Sequence, residues 1–497
     1  MQQKIVVSGW GQITQRKEVI GKIHDPLGLM AKAAGQAQEK HCFDVLKNID
    51  GIMTVMTLSR YYPDAAGQLA ELLKATPRFT HTSGIGGDSP QNLINKAAGM
   101  ISRGELDTIL IAGAETYYPR AKNPVKPDNA LFQGLSKSYK DDDIVGATAL
   151  ESSHGMVYPI HGFPLFETAL WAESGLDLDA YLLKLGKRWS QHNQIAADHP
   201  NSWSKKRFSP ADIINKSSSN RIIAFPYTKR MNPFVTVDLG AAVILMTEEK
   251  AQKYRRKESR LVYFIGGGYA KDRQRFMIEK SSFTNSPPLK AAVDKALERA
   301  GFSLDDIDAF DIYNCFPCAV GIAQKMLGLK QDDPRPLTVT GGLGFFGGPG
   351  NNYSLHAVAT MVEMIAEGKV NNGLVTALGW FMHKHAAGIY SAAPTDRDIR
   401  KDDMNDAKDP LTGDQPVAVA EKASGRGRIE TYTVVYKKDG TPDYTLIYGK
   451  TEKGVRFIAN SNTDSDSIVA LTTENHVGQP VHLRYDELRK RNFADLL

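Results

Sequence analysis

The chain has 497 residues, of which 42% are hydrophobic and 24% are charged, and its formal net charge is +5. This length exceeds what one hydrophobic core supports, so we expect two or three domains with an ordinary globular composition. The small, dispersed positive charge does not support nucleic-acid binding, and the run Lys205-Lys206-Arg207 is interpreted as a solvated face. No apolar run reaches the roughly 18 residues of a membrane helix, which argues against membrane association. Three cysteines and no signal-peptide pattern predict a cytoplasmic protein.

The central stretch is 81–115, which predicts a glycine-rich turn, a helix and a buried strand. Ser89 is predicted as the N-cap and Pro90 as the first helical residue, and Gly104 ends the helix. The strand Thr108–Ala112 is apolar throughout, as expected for a strand buried on both faces. A helix N-terminus beside a glycine turn suits a nucleophile or an anion.

The chain also repeats itself at an offset of about 260 residues, which indicates a duplication. In each half the sequence pattern predicts the order strand, helix, strand, helix, strand. We therefore expect parallel strand pairing and a layered α/β/α arrangement. The matching segments are 5–8 with 261–265, 26–40 with 288–301, and 100–113 with 364–379.

The domain organisation follows from this repeat and from two composition changes. The segment after the first half is rich in tryptophan and has no counterpart, which is typical of an insertion that contacts substrate. The predicted parts are an N-terminal half (1–115 and 236–260), an inserted loop domain (116–235), a C-terminal half (261–394), a linker (395–416) and an additional C-terminal β domain (417–497).

The C-terminal domain is predicted to be all-β. Two period-2 runs flank the turn Lys438-Asp439-Gly440, the run GVRFIAN follows, and two further strands are expected at Ser467–Thr472 and Pro480–Arg484. About five strands are enough for a small barrel resembling the oligonucleotide/oligosaccharide-binding type.

Several ordered segments carry a family resemblance over residues 1–393: GGDSPQNLIN, NRIIAFPY, YNCFPCAVGIAQKMLGL, LTVTGGLGFFGGPGNNY and ALGWFMHKHAAGIYS. The chain resembles the thiolase superfamily, and within it the type-1 thiolase-like proteins, which are related to the sterol-carrier-protein-2 thiolases. The resemblance implies the duplicated layered core and an acyltransferase-type protein of lipid metabolism that handles acyl-CoA. It implies a coenzyme A thioester as substrate or ligand, no other cofactor, no metal, and a monomer or homodimer.

The resemblance also assigns the four thiolase motif positions. The acyl-accepting cysteine corresponds to Gly87, the histidine of the Gly-His-Pro motif to Gly348, and the second cysteine to Leu378 in Leu378-Gly379-Trp380. The oxyanion motif corresponds to Tyr313-Asn314-Cys315-Phe316. Because covalent acyl transfer requires an activated nucleophile, the usual thiolysis or Claisen activity is predicted to be absent.

Some side chains are candidates for a replacement chemistry. Cys315, Asn314 and His385 are the candidate catalytic residues, and Cys315 with Cys318 forms a C-x-x-C pair that is either redox-active or simply buried. His383 and His385 follow the last core strand, where one of them is expected to be a structural histidine. Candidate substrate contacts are Ser89, Gly342, Gly344, His154 and His383.

The string from Gly342 to Gly347 fits G-x-G-x-x-G after the predicted strand Leu337–Thr340. A dinucleotide site would need an acidic residue at the end of the next strand, but Glu363 falls in a predicted helix. The glycines are better interpreted as a close-approach loop of a thiolase-type site. Three functions therefore remain: a divergent acyl-CoA enzyme, a non-catalytic acyl-CoA or lipid-binding protein, and a redox role for Cys315 and Cys318.

Overall fold

The computed structural model describes residues 3–16, 23–118, 146–256, 260–395 and 411–497. Within these ranges, none of the helices is long and apolar enough to cross a membrane. The helices are α1 Pro26–Gln38, α2 Ala65–Leu73, α3 Ser89–Ser102, α4 Ala149–Ser153, α5 Pro159–Ser174, α6 Leu178–Asp198, α7 Pro210–Ile214, α8 Glu248–Tyr254, α9 Pro287–Ala300, α10 Pro317–Leu327, α11 Tyr353–Ala366 and α12 Ser465–Thr473. The strands are β1 Ile5–Thr14, β2 Gly51–Thr54, β3 Phe79–Thr82, β4 Thr108–Thr116, β5 Ile222–Ala224, β6 Tyr227–Thr228, β7 Asp238–Thr247, β8 Val262–Asp272, β9 Ala309–Asp311, β10 Asn372–Gly379, β11 Lys384–Ser391, β12 Leu411–Thr412, β13 Gly425–Tyr436, β14 Pro442–Thr451, β15 Arg456–Ala459, β16 Pro480–Asp486 and β17 Arg491–Leu496.

A large mixed sheet runs through both halves of the core in the order β3-β2-β4-β7-β1-β8-β11-β10-β9. The outer pairs are parallel, as predicted: β3 with β2, β2 with β4, and β9 with β10. The prediction of parallel pairing is wrong for the centre, where β4, β7, β1, β8 and β11 pair antiparallel. At the β11 end of this central group the cause is local. Strands β10 and β11 form a hairpin, so β11 runs opposite to β10.

Helices cover both faces of this sheet, which gives the layered α/β/α arrangement predicted from the duplication. On one face, α1, α2 and α9 pack into one hydrophobic cluster. On the other face, α3 and α11 pack into the second cluster. The central strands are consequently buried on both sides, and every residue of β7 is buried.

The glycines that mark the repeat have a shared packing role. A Cβ atom at Gly11 would overlap the carbonyl oxygen of Ala33 in α1, and one at Gly268 would overlap the carbonyl oxygen of Ala292 in α9. Each half therefore places its helix backbone directly against its first strand, where a side chain would separate them. This contact gives a physical reason for the glycine repeat in the sequence.

The insertion and the C-terminal sheet are joined to each other. The C-terminal sheet runs in the order β15-β14-β13-β16-β17 with antiparallel pairing, and β5 of the insertion pairs with β13 at Ala224 and Val435. Most of the predicted strands are confirmed, while β17 was not predicted. The closed barrel stays a prediction. Residues 119–145 of the insertion and 396–410 of the predicted linker lie outside the described ranges, whereas Leu411–Thr412 pairs with β8.

The strand predicted at Ser467–Thr472 is wrong, because these residues belong to helix α12. The Asp464 side chain caps the helix by accepting a hydrogen bond from the Ser467 N–H at 2.9 Å. Ile468 and Leu471 are buried at the three-residue spacing of a helix face. The short apolar run is compatible with both the helical and the strand period. The sequence signal that the prediction overlooked is the capping pattern Asp464-x-x-Ser467.

Two smaller predictions also differ from the structure. Helix α3 begins at Ser89, with Asp88 rather than Ser89 at the N-cap, and the Ser89 hydroxyl donates to the Gly84 carbonyl at 2.9 Å. Residues 337–340 are not a strand, although the chain lies beside β9 there: the Phe310 N–H donates to the Pro336 carbonyl and the Ile312 N–H to the Leu337 carbonyl, both at 3.0 Å.

Candidate functional site

Position 87 lies in the turn before α3, and neighbouring atoms fill the space that a side chain would need. A Cβ atom on Gly87 would overlap the Tyr313 hydroxyl and would lie 2.6 Å from the Leu378 carbonyl oxygen. The Gly87 carbonyl in turn accepts a hydrogen bond from the Ser354 hydroxyl at 3.1 Å. The structure thus brings Gly87 close to Leu378 and Tyr313 of the second half.

A buried ion pair stands next to this turn. The Lys384 ammonium lies 3.9 Å from Asp88 Oδ1, and each side chain is only 4% exposed. Lys384 Nζ also donates to the Ile85 carbonyl at 2.7 Å, and the Tyr269 hydroxyl donates to Asp88 Oδ2 at 3.3 Å. Charges buried to this degree are usually paired and hydrogen-bonded, as these are.

Strand alternation decides which residue of β11 faces this turn. Successive side chains of a strand point to opposite faces, so Lys384 faces Asp88 and His385 faces away. His385 Nε2 lies 3.0 Å from the Ser286 hydroxyl at the start of α9. Burial lowers the pKa of His385 to about 3, so its ring is neutral. The ring nitrogens of His383 have no hydrogen-bond partner among the described residues, and burial lowers its pKa as well.

Asn314 and the glycine loop are brought together. Asn314 is fully buried, its Oδ1 accepts the Leu343 N–H at 3.2 Å, and its Nδ2 has no partner within the described ranges. A Cβ atom on Gly342, whose φ is +88°, would lie 2.9 Å from Asn314 Oδ1. Only glycine combines this left-handed conformation with this close approach.

Asp311 holds the segment that leads into the glycine loop. Its Oδ2 accepts hydrogen bonds from the Thr338 hydroxyl and the Val339 N–H, both at 2.9 Å. The Tyr353 hydroxyl donates to Oδ1 at 3.1 Å. Complete burial raises the pKa of Asp311 to about 6. The loop position is therefore set by a buried carboxyl group that sequence reasoning did not single out.

Cys315 and Cys318 are free thiols in the apolar core. Burial raises the pKa of both thiols above the ordinary cysteine value. The Cys318 thiol donates to the Phe163 carbonyl at 3.4 Å. Both side chains are therefore protonated at neutral pH, a state in which a thiol is a poor nucleophile.

A basic cavity of about 830 Å³ opens between the insertion and the glycine loop. Gly344 and Phe345 of the loop line it, together with Asn232. Among the described residues that line it, none is acidic. Three aromatic residues and five cations do line it: Trp203, Phe208, Phe234, Arg16, Lys205, Lys206, Lys229 and Arg230.

Two of these cations are held in place by hydrogen bonds. Arg16 donates to the carbonyls of Trp203, Pro200 and Ser202. The Arg230 guanidinium stacks over the Phe208 ring at 4.1 Å and donates to the Ser219 hydroxyl at 3.1 Å. Fixed guanidinium and ammonium groups are the usual protein partners of phosphate groups, and aromatic side chains stack on flat rings.

The comparisons with known proteins agree with this fold. A monomeric SCP2-thiolase-like protein type 1 from Mycobacterium smegmatis, known from its crystal structure, is 31% identical to this chain with a TM-score of 0.81. The match covers 99% of each chain. The chain belongs to this family. Residues 407–488 of this type 1 thiolase-like chain also match the domain described as the thiolase-like protein type 1 additional C-terminal domain.

More distant relatives extend the same relationship. Cytosolic acetyl-CoA acetyltransferase from Gibberella zeae is 24% identical over 302 residues, which cover 55% of this chain and 69% of that one. The structure of acetyl-CoA acetyltransferase from Syntrophomonas wolfei has a TM-score of 0.57 at 16% identity, and the match covers 79% of this chain and 100% of that one. The second likeness shows the fold alone.

The remaining predicted contact residues of this family member lie in different places. Ser89 starts α3 beside Gly87, and Gly344 lines the basic cavity. His154 lies instead between the insertion and the C-terminal sheet, where Nε2 accepts the Asn492 N–H at 3.0 Å and Nδ1 lies 2.8 Å from the Leu150 carbonyl. Among the described residues, no group of three or more His, Cys, Asp or Glu side chains is arranged to hold a metal ion.

Sequence reasoning missed the residues that dominate this site. Lys384 was overlooked between two histidines, although strand alternation distinguishes it from both. Lys205, Lys206 and Arg207 are exposed, which fits their interpretation as a solvated face, but that interpretation did not foresee that Lys205 and Lys206 also line the cavity. Arg207 pairs with Asp198. The sequence signal that could have indicated this cavity is the pair of aromatic residues, Trp203 and Phe208, on either side of the basic run.

Proposed function

We propose that the chain binds coenzyme A thioesters in the basic cavity and has no thiolase activity of its own. The observation that supports binding most strongly is the set of five cations around a cavity that Gly344 and Phe345 of the glycine loop also line. The nucleotide end of coenzyme A carries three phosphate groups and an adenine ring. Fixed cations neutralise phosphates, and aromatic faces stack on a base.

The absence of thiolase activity is proposed from position 87. A cysteine there would collide with the Tyr313 hydroxyl and the Leu378 carbonyl, so the fold is adapted to glycine at the place where a thiolase forms its acyl-enzyme. Gly348 offers no base, and covalent acyl transfer needs both groups. The neighbouring Lys384–Asp88 pair holds this turn to β11.

A relocated nucleophile is the alternative enzyme function. Cys315 is the candidate, but its thiol is buried and burial raises its pKa. The same facts argue against a redox role for Cys315 and Cys318. We therefore favour the binding function over both alternatives.

The proposal is tested by calorimetric titration of the full chain with coenzyme A and acetyl-CoA. The variants Lys229→Ala and Arg230→Ala should each weaken binding about five- to tenfold, because each removes one charge-assisted contact. Lys290→Ala, which removes an exposed cation from α9, is the matched control and should bind as the wild type does. Wild-type titrations without measurable heat or saturation would refute the proposal.

The related protein from Mycobacterium smegmatis is described as monomeric. We extend this to the present chain and propose a monomer, together with the cytoplasmic location predicted from the cysteine content. Light scattering coupled to gel filtration tests the first of these, and a mass near twice 54.7 kDa would contradict it.

A further inference from the structure

The hairpin β5–β6, residues 222–228, leads directly into the wall of the basic cavity. Lys229 and Arg230 follow it without a break and supply two of the five cations that line the cavity. The Lys229 N–H donates to the Arg221 carbonyl at 2.9 Å, which continues the hydrogen bonding of the hairpin. The Arg230 N–H donates to Asn220 Oδ1 at 3.0 Å. The position of both cations therefore depends on the position of the hairpin.

The C-terminal sheet holds the turn of this hairpin. The Phe225 N–H donates to the Val434 carbonyl at 2.9 Å, and the Thr433 hydroxyl donates to the Phe225 carbonyl at 2.7 Å. Ala224 pairs with Val435 of the same strand. Phe225 and Thr433 are 4% and 0% exposed, so both hydrogen bonds are buried. Strand β13 thus supplies a partner for both backbone groups of Phe225.

A second set of contacts fixes the hairpin to the core. The Tyr227 hydroxyl donates to Glu167 Oε2 of α5 at 2.5 Å and accepts the Cys318 N–H of α10 at 3.1 Å. Tyr227 and Glu167 are both buried. A two-stranded hairpin is at best marginally stable alone in water, so its position depends on contacts of this kind. The hairpin thus joins the insertion, the second half of the core and the C-terminal sheet.

The C-terminal sheet acts on the cavity from behind its wall. Among the described residues that line the cavity, none belongs to this sheet. We propose that the C-terminal domain positions the basic cavity, with Thr433 as a positioning residue for Lys229 and Arg230. Thr433 acts through Phe225, which precedes Lys229 by four residues. The inference rests on the proposed function, because it takes these two cations as groups that bind coenzyme A.

The contact at Phe225 and the affinity of the cavity are coupled energetically. Removing the Thr433 hydroxyl takes a donor away from a buried carbonyl, which destabilises the hairpin in this position. Charge-assisted hydrogen bonds require their geometry, so displaced cations bind phosphate less tightly. The coupling is reciprocal, so a ligand that fixes Lys229 and Arg230 also stabilises the contact between Phe225 and β13.

The first test titrates the full-length protein with coenzyme A by calorimetry. Thr433→Val removes the hydroxyl at nearly constant volume and should weaken binding about fivefold, the equivalent of one lost neutral hydrogen bond. Thr433→Ser keeps the hydroxyl and should bind as the wild type does. Thr445→Val is the matched control, because Thr445 is also 0% exposed and its hydroxyl accepts the Ser461 N–H at 2.6 Å within the C-terminal domain. This control should lower the thermal stability and leave the affinity unchanged.

The second test measures hydrogen exchange and begins with the wild type. Coenzyme A should slow exchange of the Phe225 amide by at least about fivefold, because the bound ligand fixes the hairpin against β13. Amides of β3 are the internal reference and should exchange at the same rate with and without ligand. In the unliganded protein, Thr433→Val should speed exchange of the Phe225 amide, whereas Thr445→Val should not.

The outcomes separate the two proposals. An unchanged affinity in Thr433→Val, or an equal loss in both valine variants, overturns the positioning role while the binding function remains supported. A Phe225 amide that coenzyme A does not protect in the wild type overturns it as well, without any variant. A wild type that binds no coenzyme A refutes the proposed function. Exchange in the unliganded protein still tests the contact, because an unchanged Phe225 rate in Thr433→Val would show that Thr433 does not hold the hairpin.

Discussion

The Lys384 ammonium lies 3.9 Å from the Asp88 carboxylate, one residue after Gly87, and both side chains are 4% exposed. Removing one partner of a buried pair leaves an uncompensated charge, which costs about 3–5 kcal/mol. We predict that Lys384→Met lowers the free energy of unfolding by about this amount. Chemical denaturation measures it.

The matched control for this variant is Lys290→Met. Lys290 and Asp294 form an ion pair with side chains 51% and 54% exposed, and exposed pairs contribute about 0–1 kcal/mol. A similar loss of stability in the two variants would show that burial does not set the strength of the Lys384–Asp88 contact.

Gly87→Ala is the second prediction. The added Cβ would overlap the Tyr313 hydroxyl, so we expect a loss of about 1–3 kcal/mol, typical of overpacking. Gly35→Ala in α1 is the control, because a Cβ there meets nothing within 4 Å and alanine favours the helix by about 0.5–1 kcal/mol. The double variant Gly87→Ala/Tyr313→Phe should recover part of the loss. Equal stability of the two alanine variants would contradict a filled position 87.

The third prediction concerns pH and Glu115. This carboxyl group is 1% exposed and accepts the N–H groups of Leu58 and Ser59, both at 2.7 Å, and burial raises its pKa to about 7. Between the ordinary carboxyl pKa and 7, the folded state binds a proton that the unfolded state has lost. This contribution to stability is therefore complete at low pH and is lost as the pH rises to about 7.

A Glu115→Gln variant isolates this effect. The unfolding free energy of the wild type should fall relative to that of the variant by roughly 3 kcal/mol between pH 4.5 and 7, since each pKa unit corresponds to about 1.4 kcal/mol. Denaturation at several pH values measures the difference. A constant difference across this range would contradict the raised pKa.

The fourth prediction counts thiols. Cys42 is exposed, whereas Cys315 and Cys318 are buried with raised pKa values. We expect one rapidly reacting thiol in the native protein at neutral pH and three after denaturation, as measured with an aromatic disulfide reagent. Two or three fast thiols, or a Cys315–Cys318 disulfide formed by mild oxidant, would revive the nucleophile or redox alternatives.

The sequence predicted the fold better than the site, and particular residues show why. The Gly11 and Gly268 repeat reflects a backbone contact that recurs in both halves, so periodicity and glycine spacing were sufficient to predict the duplicated core. The short run at 467–472 was mistaken for a strand, because six residues fit either period and only the Asp464 cap distinguishes them. The antiparallel centre depends on strand order, which is a property of the assembled sheet.

The site depends on side chains that are distant in sequence. Lys384 meets Asp88 across nearly 300 residues, and Tyr313 approaches Gly87 across more than 200. Neither relationship has a local motif. The assignment of Gly87, Gly348 and Leu378 to the thiolase motif positions stays a prediction from the family motifs, which say nothing about the groups that fill the space around Gly87.

The most direct test of the central claim is the intact mass of the protein after incubation with acetyl-CoA, recorded first under native and then under denaturing conditions. Binding without an acyl-enzyme predicts a complex with the intact ligand in the native spectrum and the unmodified chain mass after denaturation. An acetyl adduct that survives denaturation would contradict the account, because it would show a working nucleophile. A native spectrum without any complex would contradict it equally.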